Sequence, residues 1–172
     1  MIEQADKLNN QAILLASDGD FSSAIACYKR AITLDRGNYL LWYNLGVTYR
    51  DAGQLIDAKN ALSTAYMIEP ENIDVIETYG TLCIALKEYT TAQKVCIESL
   101  QQNPVNAHIW NLLGVVYFQI EAYDDSAECF EKAVYLDPFY SDALYNLSDT
   151  YGILKNTKGQ AECENKIKEI GE

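Results

Sequence analysis

Residues 42–49 read Trp42-Tyr43-Asn44-Leu45-Gly46-Val47-Thr48-Tyr49, and Ala58, Leu62, Ala65 and Pro70 follow. Trp42, Leu45, Gly46 and Tyr49 recur at three- and four-residue steps, which is the period of an amphipathic helix. Ala58, Leu62 and Ala65 repeat that period after an interruption at Gly53, so the stretch predicts two helices joined by a tight turn. Pro70 ends the second helix, because proline cannot continue the hydrogen-bond ladder.

The same pattern returns along the chain. The only prolines are Pro70, Pro104 and Pro138, spaced by 34 residues. Gly46, Gly80 and Gly114 share a column with Ala12 and Ser148. Trp42 and Trp110 share another with Leu8, Ile76 and Leu144. Ala24, Ala58 and Ala92 continue into Ser126, and Ala31, Ala65, Ser99 and Ala133 form a second small-residue column. Self-similarity at such a period is the signature of stacked repeats. Five units follow, at residues 5–38, 39–72, 73–106, 107–140 and 141–172, forming a single domain over 1–172. Small residues in the two columns allow one helix to lie directly on the backbone of another. Asn38, Asn72 and Asn106 sit where they can cap the first helix of the next unit.

Composition narrows the partners. The 172 residues carry 25 acids against 13 Lys and Arg, a formal net charge of −12. Phosphate backbones are bound mainly through Lys and Arg, so nucleic acid is not expected, and an anionic membrane surface is disfavoured. The fourth unit alone holds six acids against one lysine. The longest apolar run, Ile109 to Ile120, is shorter than the ~20 residues a membrane span requires. The first residues lack the basic and apolar pattern of a signal peptide. Five cysteines without a CxxC and a single histidine, His108, predict reduced thiols in the cytoplasm and no metal site. No phosphate loop and no nucleophile–base arrangement is present, so no cofactor and no catalytic residue is expected.

The columns resemble the tetratricopeptide repeat family. Trp42, Leu45, Gly46, Tyr49, Ala58, Leu62, Ala65 and Pro70 match its pattern, as do Trp110, Leu113, Gly114, Tyr117, Phe130, Ala133 and Pro138. The third unit departs from it at Ile76, Cys83 and Cys96, and the first and last units are degenerate. The resemblance implies an all-α fold: about ten antiparallel helices in a right-handed α-solenoid, with the first helices lining a concave groove. Degenerate end units suit capping, since a terminal repeat needs a polar outer face. The last helix, charged around an Ala161, Ile167 and Ile170 seam, fits that role.

Family members bind proteins or peptides in the groove, and helix geometry selects the side chains that would face it. They are Asn10 in the first unit, then Leu40, Tyr43, Asn44 and Val47 in the second. Asp74, Glu77 and Thr78 follow in the third, His108, Asn111, Leu112, Val115 and Phe118 in the fourth, and Tyr145 and Asn146 in the fifth. Asn10, Asn44 and Asn146 share a column; an amide can both donate to and accept from a peptide unit. Leu40, Tyr43 and Val47 form one apolar cluster, and Leu112, Val115, Phe118 and Tyr145 a second. Asp74 and Glu77 favour a basic residue on the ligand. Family members that clamp a chaperone's C-terminal carboxylate use lysine or arginine where this chain has Asp6, Asp74 and Thr78, so that ligand is rejected. The expectation is a non-catalytic interaction module binding a basic and apolar segment of a partner protein. The alternatives are a self-assembling homo-oligomeric scaffold, for which Tyr39, Phe139 and Tyr140 are placed at the bends between units, and a regulatory portion of a larger protein.

Overall fold

A computed structural model describes the backbone of residues 2–171 and the side chains of residues 4–171. Ten α-helices occupy the described residues: α1 (Ile2–Ser17), α2 (Phe21–Leu34), α3 (Tyr39–Asp51), α4 (Leu55–Ile68), α5 (Ile73–Ala85), α6 (Tyr89–Gln102), α7 (Ala107–Gln119), α8 (Tyr123–Leu136), α9 (Ser141–Ile153) and α10 (Thr157–Ile170). Each sequence unit supplies one pair, and the fold is an all-α solenoid of helical hairpins. Helices α4, α6 and α8 stop two residues before Pro70, Pro104 and Pro138.

The turn inside each hairpin is the same five times. Residues 19, 53, 87, 121 and 155 all have positive φ, but only the first two are glycine; Lys87, Glu121 and Lys155 adopt φ of 60°, 62° and 58°. The hydrogen bonds are those of a Schellman motif. In the first turn Gly19 N–H donates to Ala16 O at 3.1 Å and Asp20 N–H to Leu15 O at 2.9 Å. In the fourth, Glu121 donates to Phe118 O at 3.0 Å and Ala122 to Tyr117 O at 2.9 Å. A side chain in this left-handed region is strained, so Lys87→Gly, Glu121→Gly and Lys155→Gly should each raise the unfolding free energy by about 0.5–1 kcal/mol in urea titrations.

Turns between hairpins are fixed by the predicted asparagines. The side-chain oxygen of Asn38 accepts from Leu40 N–H at 3.1 Å, that of Asn72 from Val75 at 3.0 Å, and that of Asn106 from Ile109 at 3.1 Å. Each cap is worth ~1 kcal/mol. The tryptophans brace the same turns: the Trp42 indole donates to Arg36 O at 3.0 Å and the Trp110 indole to Pro104 O at 2.8 Å.

The helices divide into two compact units, one running to Leu82 and the other from Cys83, with the boundary inside α5. In the first unit α1 packs on α2, α2 on α3 and α3 on α4, and α1 also touches α3. In the second, α6 packs on α7, α7 on α8, α8 on α9 and α9 on α10, and α7 touches α9. First helices are therefore neighbours within each unit. Ala24, Ala58, Ala92 and Ser126 are fully buried, as are Ala31, Ala65 and Ala133; Ser99 is half-buried. Gly114 shows why its column is small, because a Cβ there would lie 2.5 Å from the Phe130 ring. The seam of α10 differs from the sequence expectation: Cys163 is buried and Ile167 and Ile170 pack inward, whereas Ala161 is exposed. All five cysteines are free and buried.

Candidate functional site

The first-helix faces carry one constellation twice. In the first unit, the Asn44 amide on α3 donates to Asn9 Oδ1 on α1 at 3.0 Å. In the second, the Asn146 amide on α9 donates to Asn111 Oδ1 on α7 at 2.9 Å. Thr48 and Thr150 back-bond to the carbonyls of Asn44 and Asn146, each at 2.7 Å. Tyr43 and Tyr145 precede those asparagines in the same column. The asparagines thus bridge neighbouring first helices, a role their shared column alone did not reveal. The missing signal was a spacing of 35 residues, one period plus one, which places Asn9 opposite Asn44 and Asn111 opposite Asn146.

The first-unit face joins α1, α3 and the start of α5. Leu40 is 41% exposed beside half-buried Tyr43 and Val47, and Asn10 is exposed. The Tyr43 hydroxyl and Thr78 Oγ1 lie 3.2 Å apart, and Asn72 donates to the Tyr39 hydroxyl at 3.2 Å. Asp6 and Asp74 are exposed and Glu77 half-buried. Arg50 is turned to its neighbour Asp51 at 2.9 Å. This face joins an apolar strip to acids.

On the second-unit face Tyr145 stands out at 55% exposed, next to half-buried Asn146 and Asn111. Exposed His108 lies against Tyr140, ring centroids 4.6 Å apart. Asn111 donates to the Tyr140 hydroxyl at 3.3 Å. Phe118 makes an edge contact with Tyr123 at 5.4 Å. One expected surface residue is corrected: Leu112 is only 7% exposed. Its helix is packed by α6, α8 and α9, and an apolar side chain at such a contact is drawn from water. Val115 likewise packs against the α8–α10 core. The apolar patch here therefore narrows to Tyr145 and part of Phe118.

Glu121 in the turn before α8 and Asp124, Asp125, Glu128 and Glu131 along α8 are all exposed. No three His, Cys, Asp or Glu side chains among the described residues are grouped to hold a metal ion. No helix among them is long and apolar enough to cross a membrane.

Family models described as tetratricopeptide repeat or TPR repeat match residues 14–53, 49–116 and 107–140, together well over half of the sequence. The chain belongs to the tetratricopeptide repeat family. Among curated relatives, the BBSome complex member BBS4 of Bos taurus is 29% identical over 136 residues, covering 75% of this chain and 25% of the relative. The chain thus spans about a quarter of that relative's length. Among solved structures, residues 41 to the end of MamA from Desulfovibrio magneticus RS-1 superpose with a TM-score of 0.83 at 21% identity, covering 98% of this chain and 95% of that one. YrrB, described as a TPR protein with an unusual peptide-binding site, gives 0.73 at 24% identity, covering 95% and 84%. At these identities the two structures speak for the tetratricopeptide fold alone.

Proposed function

We propose that the chain is a non-catalytic protein-interaction module that acts in the cytoplasm and holds a segment of a partner protein against its first-helix faces. The observation that carries this reading is the recurrence of one constellation, an Asn–Asn bridge beside a tyrosine, in both units. Leu40 and Tyr145 expose large apolar surface next to it, and such surface in a folded protein marks interaction sites. Asp6, Asp74 and Glu77 on the first-unit face favour a ligand with Lys or Arg beside its apolar anchors. The net charge of −12 opposes nucleic acid as the ligand. The peptide-binding site ascribed to YrrB is consistent with this reading.

Single replacements Tyr43→Ala, Asn44→Ala and Phe118→Ala, measured by fluorescence anisotropy with a labelled peptide of central Phe and Leu flanked by Lys and Arg, test the reading. Tyr43→Ala should weaken binding at least ~10-fold, since a few aromatic anchors dominate such contacts. Asn44→Ala should weaken it less and also loosen α1 against α3. Unchanged affinity in all three variants would remove the first-helix faces as the site.

A further inference from the structure

Two hollows of the second unit lie against its second helices. One cleft of about 500 Å³ lies among α8, α9 and α10, floored by Val134, Leu144, Leu147 and Cys163. The first unit holds its counterpart among α2, α3 and α4, with a volume of about 300 Å³. Every residue lining the smaller cleft has its equivalent three 34-residue periods later in the larger one. The comparison therefore isolates what has changed.

Two bulky groups are gone. Trp42 fills the first cleft; Leu144 takes its column in the second. Asp57 is replaced by Gly159, and a Cβ there would lie 2.6 Å from the Tyr151 ring. The charge at one lining position has also changed sign. In the first cleft Lys29 stands over the Tyr49 ring, its Nζ 5.7 Å from the centroid. In the second, Glu131 replaces Lys29, and its carboxylate accepts from the Tyr151 hydroxyl at 2.6 Å. Glu162 replaces Asn60. Burial and the Glu131 carboxylate both push the Tyr151 phenol up, so it remains a donor and orients that carboxylate.

A second hollow of about 560 Å³ over Trp110 and Pro104 shares Glu131 and Tyr135 with the first. Tyr135 is 85% exposed on the ridge between them. We infer that the cleft among α8, α9 and α10 is a second binding site, which takes a partner segment presenting a large apolar side chain beside a lysine or arginine. The apolar side chain enters over Leu144 and Leu147, and the cation meets Glu131 and Glu162. Lys132 does not oppose it: its ammonium lies 5.0 Å from the Trp110 ring centroid and 3.9 Å from Glu128. Lys166, on the α10 side of the rim, leaves the α8 side as the place for the cation. Exposed Asp124, Asp125 and Glu128 extend the negative field along α8, which attracts a cationic segment and repels a second copy of this acidic chain.

The experiment is an NMR titration of the full chain with the Lys/Arg-flanked Phe-Leu peptide and with an Asp/Glu-flanked control. The basic peptide should shift the amides of Tyr151, Gly159 and Cys163, and the control should not. Leu144→Trp restores the residue found at that column in two other repeats and should weaken these shifts at least ~10-fold. Glu131→Lys changes an exposed side chain and should do the same, which keeps the test decisive if Leu144→Trp does not fold. Shifts confined to the first helices would overturn this site while leaving the proposed function intact. Equal response to the acidic control, or concentration-dependent shifts at these amides without peptide, would also overturn it.

Discussion

Phe130→Ala lowers the unfolding free energy by about 3–5 kcal/mol, the range for deleting a buried phenylalanine ring. The upper half of that range is expected here. Phe130 is 1% exposed, and its ring lies directly on the backbone of Gly114. Ser126 Oγ donates to the Gly114 carbonyl at 2.9 Å on the same surface, so the backbone is held and cannot sink into the vacated space. A folded domain is stable by about 5–15 kcal/mol in total, so this one ring represents a large share of it. Urea titration followed by circular dichroism should show a midpoint lower by more than ~1 M, given a slope of about 1–3 kcal/mol per molar. Met67→Ala, at a position 71% exposed, should stay within ~0.5 kcal/mol of the parent. A Phe130→Ala loss below ~1 kcal/mol would mean the ring does not seal the α7–α8 contact.

The thiols provide the second large effect. Burial pushes Cys96 up to about 12, with Cys129 and Cys83 adding to it. Cys129 is also pushed up to about 12 by burial, aided by the carboxylates of Glu128 and Asp125. The thiolate is the reactive form. At pH 8 about a tenth of an ordinary thiol of pKa 9 is ionised, against about one part in ten thousand for these two. Ellman's reagent should therefore react with Cys96 and Cys129 roughly a thousandfold more slowly in the folded protein than in denaturant. The same shifts set a pH dependence. Their folded values lie above the unfolded value, so the unfolded chain loses protons first. Stability is fully present below about pH 9 and falls as pH rises toward 12. Melting curves between pH 8 and 11 should show that decline, and Cys96→Ala should flatten it. A midpoint constant to pH 11 would contradict it.

Much of the fold was legible in the sequence because each repeat punctuates itself. Pro70, Pro104 and Pro138 mark helix ends, Asn38, Asn72 and Asn106 mark caps, and the small columns mark helix contacts, each for a local physical reason. The turn at residue 53 was legible through its glycine. Its counterparts at Lys87, Glu121 and Lys155 were not, because there the Schellman hydrogen bonds hold a strained backbone without glycine's help. The candidate faces were legible as stripes, but a stripe does not say which neighbour a side chain meets. Leu112 was read as surface and is buried by packing on three sides of α7. Asn44 and Asn146 were read as facing a ligand and instead also tie adjacent helices, a pairing across repeats that a single-helix projection hides. The cleft at Leu144 escaped notice because the column was read for what it shared and not for the tryptophan it lacked.

Photo-crosslinking tests the central claim most directly. A benzophenone-bearing peptide of central Phe and Leu flanked by Lys and Arg is irradiated with the full chain, and adducts are mapped by mass spectrometry. Adducts are expected in Tyr39–Asp51 and Ser141–Ile153, around Tyr43 and Tyr145, reduced at least ~10-fold when both tyrosines are replaced by alanine. Adducts only on the second helices, or undiminished by the double replacement, would contradict it.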